Sequence, residues 1–294
     1  MGPSTCVQLP SVLQTRHHKP DLNFFNYIVM DPPCYYYEEF HVTQGSLDPS
    51  VDCTYVLIMH GSPRKQQIYQ NIVKSNLTTN VVFQYNYGYK KCDKDLRKRG
   101  PNYDLEDANK KAFKHALDRG YRRILLLEDD CEFDERVRDP KVIEDLNSFL
   151  IEKNPSIYSL GTTFSLSSPI DIVTQKKHHL LLYNSATHAV LYNEDYMRYA
   201  IDADFMLGHS DFETNRHTSK YTYHKPVAYQ KVEETENTRE GWGYVWPILN
   251  NLIVKPTGID KQVQPGYDIM KTGNDILVLL CSTLIIVAIF LRFK

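Results

Sequence analysis

The chain has 294 residues, with 34 Lys and Arg against 36 Asp and Glu, a formal net charge of -2 at pH 7. That balance provides no electrostatic footprint for a nucleic-acid partner. With 42% hydrophobic and 24% charged residues and six Cys, the chain is not disordered, collagen-like or disulfide-dense, and its length fits one catalytic domain with appendages.

Residues 1–50 are rich in Pro and aromatics, with Pro32-Pro33, Tyr35-Tyr36-Tyr37, Gly45 and Pro49 as turn signals, and predict an irregular N-terminal extension. Met1 to Pro20 has no apolar segment and carries Arg16, His17, His18 and Lys19, so no secretory signal is expected. From Asp52 the rhythm changes to alternating elements. Tyr55–Met59 is an apolar run of strand length, followed by the turn His60-Gly61-Ser62-Pro63, a helical stretch from Arg64 to about Ser75, and a second strand over Val81–Tyr85. This is a βαβ unit and points to an α/β sheet. Asp104 is expected to cap a helix running to about Arg119, with Gly120 as its stop. Ile124–Leu127 reads as a buried strand, residues 139–152 as a helix, and Ile157–Leu160, Leu180–Tyr183 and Ala189–Tyr192 as later strands; residues 193–262 are mixed and loop-rich.

The mean hydropathy of -0.45 describes a water-soluble body, and it conceals Ile276 to Leu291, sixteen residues whose only polar members are Ser282 and Thr283. With Arg292 and Lys294 snorkelling, this run spans a bilayer as a single C-terminal helix over residues 275–293, after a linker at 263–274; a buried core helix is the alternative. An anchor without a signal implies insertion after synthesis and a cytosolic body. The positive charges beyond the span argue mildly the other way. The Cys at 6, 34, 53, 92, 131 and 281 show no CxxC or tight pairing and predict reduced thiols.

The chemistry is concentrated after the strand at Ile124–Leu127. Glu128, Asp129, Asp130, Glu132, Asp134 and Glu135 place six acids in eight positions. Carboxylates crowded at the C-terminal mouth of a buried strand, where open α/β sheets bind ligands, repel one another unless a cation intervenes. Mn²⁺ or Mg²⁺, held by one or two of them and completed by diphosphate oxygens, would offset that repulsion.

The stretch from Leu105-Glu106-Asp107-Ala108 through Gly120-Tyr121-Arg122-Arg123-Ile124-Leu125-Leu126-Leu127-Glu128-Asp129-Asp130-Cys131 resembles the core block of the glycosyltransferases that include bacterial lipooligosaccharide galactosyltransferases and procollagen galactosyltransferases. Ser185–Tyr192, Ala200-Ile201-Asp202 and Pro226-Val227-Ala228-Tyr229-Gln230 are similar to later segments of that family, and the likeness runs from Thr54 to about Gln230. Ala108-Asn109 stands where the family usually has Ser-His, and Ala200 where it has Pro.

The resemblance implies a GT-A-like (Rossmann-like) mixed sheet with flanking helices over residues 51–262. It implies a metal held by Asp130 and Glu128, and a nucleotide-sugar donor, a UDP-sugar before others, bound with the help of Glu128, Asp129 and Arg64. Galactose or a similar hexose would pass, with inversion, to a glycan or glycoprotein acceptor. A carboxylate must then take the acceptor's proton: Asp202 and Asp211 are the two choices, with Asp204 behind them. His188, His209, His217 and His224 are the choices for an added metal ligand. Lys65 beside Arg64 is a further phosphate contact, and Trp242, Tyr244 and Trp246 form an aromatic group suited to a sugar face or a membrane interface. A metal-dependent phosphohydrolase and a non-catalytic, membrane-tethered binding module are the competing readings.

Overall fold

The apolar runs form the middle of a seven-stranded mixed sheet in the computed structural model, which describes residues 33–230, 247–248, 250–259 and 263–293. The strands are β1 (Tyr35–His41), β2 (Cys53–Met59), β3 (Asn80–Asn86), β4 (Arg123–Glu128), β5 (Cys131–Phe133), β6 (Ile157–Ser167), β7 (His178–Asn193), β8 (Lys220–Tyr223) and β9 (Ala228–Gln230). The large sheet runs β1-β3-β2-β4-β7-β6-β8, while β5 and β9 make a two-stranded ribbon. Strands β2, β3 and β4 are parallel, and β1 and β7 flank them antiparallel.

Because side chains alternate along a strand, each central strand feeds two cores. Leu125 and Leu127 join Val56, Ile58 and Phe83 under helices α1 (Lys65–Ser75) and, through Leu146 and Leu150, the helix at Pro140–Lys153. Ile124 and Leu126 join Tyr55, Leu57 and Val190 on the opposite face, covered by α2 (Pro101–Asp118) with Ala108, Ala112, Phe113 and Ala116. Of the further helices, α3 is the Pro140–Lys153 helix already met, followed by α4 (Pro169–Val173), α5 (Glu194–Asp202), α6 (Ser210–Thr214) and α7 (Val263–Arg292), with short helical turns at Glu135–Arg138, Met206–Gly208, Asn250–Val254 and Lys255–Thr257 among them.

Several expectations change. Tyr35–His41, placed by sequence in the irregular extension, pairs along its length with β3, and aromatic cross-strand contacts hold it: Tyr36 stacks on Tyr85 with centroids 4.4 Å apart, and Phe40 meets Phe83 at 5.3 Å. Helix α2 starts at Pro101, whose fixed φ suits the first turn. Asp104 therefore lies inside the helix, buried, paired with Lys94 and accepting from Asn86 Nδ2 at 3.0 Å. The two strands expected at Leu180–Tyr183 and Ala189–Tyr192 are parts of one strand, β7, and the loop-rich stretch contains α5, α6, β8 and β9.

The thiols also differ from expectation. Cys34 and Cys92, 58 positions apart, form a disulfide with a Cα–Cα distance of 5.6 Å. Pairing of β1 with β3 brings the start of one beside the loop that follows the other, and a spacing read along the chain does not show that. Cys53, Cys131 and Cys281 are free.

Helix α7 takes in the expected linker as well as the apolar run. Its helical run is interrupted at Gln264 (φ -114°, ψ 143°); beyond it Gly266, Tyr267, Met270 and Lys271 are buried against the body. From Ile276 onward its large apolar side chains are mostly exposed, and by length and composition the helix can cross a membrane.

Candidate active site

Strand β4 ends at Glu128, and the chain turns through Asp129 and Asp130 into β5. Two neighbours converge on this turn. Strand β2 lies parallel to β4, with Leu57 opposite Glu128, so the turn that follows β2 lies beside the turn that follows β4. From that first turn, Ser62 Oγ donates to Asp129 Oδ2 at 2.8 Å, and Arg64 Nη1 donates to Asp129 Oδ1 at 3.0 Å and lies 3.8 Å from Asp130 Oδ2. On the other side, β9 pairs with β5 so that Gln230 is opposite Cys131. Its Nε2 donates to Asp130 Oδ2 at 3.1 Å and reaches Glu128 Oε2 at 3.5 Å.

Asp130 is 8% exposed, and among the described residues its Oδ1 has no hydrogen-bond partner. Burial raises its carboxyl to about 6; Asp129 adds to the shift, while the Gln230 amide and Arg64 oppose it. Glu128 is pushed well above the usual carboxylate range by burial first, then by the charges of Asp130, Asp211 and Asp129, against the pull of Arg64. The cluster is thus an under-compensated group of acids in a low dielectric. Behind it, Glu128, Asn109, His188, Tyr192 and Ser210 line a cavity of about 20 Å3, room for a single water.

Of the acids singled out for the general base, Asp211 is the one whose charge reaches the cluster: it stands in the first turn of α6 and acts on both Glu128 and Tyr192. Asp202 is exposed at the end of α5, with no described contact to the cluster, and Asp204 lies 3.7 Å from Arg97 Nε. Among the histidines, His188 is buried beside Glu128, with Nε2 3.2 Å from the Ala228 carbonyl oxygen. His209 Nε2 meets Asn102 Nδ2 at 2.9 Å, His217 packs edge-on to Tyr196 and Tyr199, and His224 packs against Tyr223. Lys65 turns to the edge strand, 2.8 Å from Glu38 and 5.0 Å from the centre of the Tyr85 ring. Trp242, Tyr244 and Trp246 lie outside the described residues.

Ser62 was not foreseen from sequence; the signal was its place in the turn after β2, which parallel pairing sets against the acids. Among the described residues no three His, Cys, Asp or Glu side chains are grouped to hold a metal by themselves. The donor set, a buried carboxylate with one unpartnered oxygen and a second carboxylate beside it, fits a hard divalent cation that completes its shell with phosphate oxygens.

No family model and no curated protein matches the chain. Among solved structures it is similar to A197 from STIV, at 12% identity and a TM-score of 0.38, over 61% of this chain and 86% of that one. It is also similar to a glycosyltransferase involved in glycosylation of the major capsid of PBCV-1, at 11% identity and a TM-score of 0.28, over 50% of this chain and 63% of that one.

Proposed function

We propose that the protein is a membrane-tethered glycosyltransferase of GT-A type that moves a hexose such as galactose from a UDP-sugar to a glycan or glycoprotein acceptor, with inversion. The observation that carries this reading is Asp130: a buried carboxylate at the C-terminal mouth of a central parallel strand, with one oxygen unpartnered among the described residues and two further acids beside it. Such a group is costly to bury unless a cation or hydrogen bonds compensate it, and buried, perturbed acids of this kind cluster at functional sites.

Asp130 and Glu128 would hold Mn²⁺ or Mg²⁺, which when bound neutralises charge on the departing diphosphate. Arg64 offers a planar fork beside the same acids, and a diphosphate oxygen can replace Asp129 as its partner. Ser62 and Gln230 hold Asp129 and Asp130 in place. Asp211, whose charge already acts at Glu128, is the carboxylate assigned to take the acceptor proton; Asp202, exposed on α5, is the second choice.

Transfer and donor hydrolysis, measured with and without EDTA on the wild type and on Asp130→Ala, test this reading. Loss of activity under both treatments is expected, by about 10²-fold or more for the variant; activity untouched by either overturns it. Arg64 and Gln230 already occupy part of the acid cluster, which favours a binding module as the second reading. Saturable UDP-sugar binding with no turnover on any acceptor would select it.

A further inference from the structure

The helix that is long and apolar enough to cross a membrane begins against the site. Tyr267, in the early part of α7, is 1% exposed. Its Oη accepts from the Gln230 backbone N–H at 3.2 Å and donates to the Gln230 carbonyl oxygen at 3.0 Å, with Thr163 Oγ1 also 3.2 Å away. One hydroxyl therefore holds both backbone groups of the residue whose side-chain amide touches Asp130 and Glu128.

The rest of this end of α7 is fitted to the body. Gly266 lies where a Cβ would come within 2.3 Å of Ile259 Cγ2 and 2.8 Å of the Thr257 carbonyl oxygen, so the backbones approach closely. Asp268 Oδ2 accepts from Arg136 Nη2 at 2.6 Å, and Gln264 Nε2 donates to the hydroxyl of Tyr229, the residue before Gln230. From Tyr267 the helix continues to Arg292. Nine positions, about 14 Å of helix, carry the chain from Tyr267 to Ile276 at the head of the apolar run.

We propose that Tyr267 is a positioning residue of the candidate active site: by fixing Gln230 it sets how Asp130 and Glu128 are presented to a nucleoside diphosphate and its divalent cation, so the membrane helix is a structural part of that site. The ligand class rests on the glycosyltransferase reading; the physical link from α7 to the acids does not. Removing the hydroxyl leaves the Gln230 N–H and carbonyl without their described partner and frees β9 to shift. The ring itself packs on Tyr229 at 5.0 Å and on His188 at 6.1 Å, contacts that Phe retains.

The test uses the full chain in lipid nanodiscs, comparing wild type, Tyr267→Phe, Gln230→Ala and the double variant. Two quantities are read: amide hydrogen exchange over residues 128–133 and 228–230, and the affinity for UDP in the presence of Mn²⁺. Tyr267→Phe is expected to speed exchange in both segments and to weaken UDP binding about 3- to 10-fold. In the Gln230→Ala background it is expected to add nothing to the loss of affinity. Unchanged exchange and affinity in Tyr267→Phe, or an equal loss with and without the Gln230 side chain, would overturn the proposal. A wild-type chain that binds no UDP with Mn²⁺ counts against the glycosyltransferase reading, and the exchange at residues 128–133 in Tyr267→Phe then decides the link by itself.

Discussion

At the scale of single residues, Asp130 sets a conflict between stability and chemistry that pH exposes. Its carboxyl is raised from an ordinary value of 3.8 to about 6, mainly by burial. In that interval the folded chain keeps a proton that the unfolded chain has lost, so this group's contribution to stability falls as pH rises through the window and stays low above it. Asp130→Asn retains an acceptor for Gln230 but removes the buried charge. The variant is expected to melt higher than the wild type at pH 7.5, by about 2–4 °C for each kcal/mol of relieved burial, and to lose that advantage near pH 4, where Asp130 is protonated. His178 moves the other way: burial, stacked on Phe149, lowers it to about 4, so its contribution is lost as pH falls toward that value. It is present in both proteins and cancels in the difference between their melting curves. An Asn variant less stable than wild type at both pH values would show that Arg64 and Gln230 offset the buried charge fully. The same arithmetic bears on ligands, because a cation at Asp130 must displace this proton and binds more tightly as pH rises through about 6.

At the scale of elements, the site depends on how closely β6 lets β9 approach. The register of β6 against β7 shifts around Gly161, and a Cβ there would lie 2.1 Å from the Ala228 carbonyl oxygen and 2.4 Å from His188 Nε2. Gly161→Ala must therefore push β9 outward and carry Gln230 away from Asp130. A loss of about 1–3 kcal/mol is expected, read from the urea midpoint at constant slope, together with weaker cation and nucleotide binding. Contacts of this kind are invisible in a linear reading. The runs in β2 and β4 were legible because burial on both faces leaves a continuous apolar signature, and the acids stand out where that signature stops. Strand β1 was not, since Glu38 and Glu39 interrupt its apolar character and its stability comes from Tyr36 and Phe40 meeting β3. Strands β5 and β9 have three residues each and pair across almost a hundred positions, too short for any periodicity to register. In the sequence the family resemblance favours Asp202, with Asp211 nearly level; α5 ends with the first exposed, while the first turn of α6 puts the second where its charge acts on Glu128.

At the scale of the whole molecule, the expected cytosolic placement of the body rested on an anchor without a signal, while the thiols were expected to be reduced; the Cys34–Cys92 bond corrects the second expectation and bears on the first. Disulfides of this kind persist in oxidising compartments. Arg292 and Lys294 beyond the apolar run, against Lys271 paired with Asp275 before it, bias the far end of α7 toward the cytosol. We propose from these two observations that, where α7 crosses a membrane, the sheet and its acid cluster face the oxidising side. The prediction is read on the protein in its native membrane, denatured without reductant and labelled with PEG-maleimide: Cys53, Cys131 and Cys281 react, while Cys34 and Cys92 react only after reduction. In sealed vesicles with the cytosolic face outward, a tag placed after Lys294 is removed by protease and the body survives. Cys34→Ser is expected to cost about 2–4 kcal/mol by releasing the loop that the bond closes, measured as a lowered urea midpoint that added reductant reproduces in the wild type. Labelling of Cys34 and Cys92 without reductant, joined to digestion of the body in the same vesicles, would return the protein to the cytosolic face.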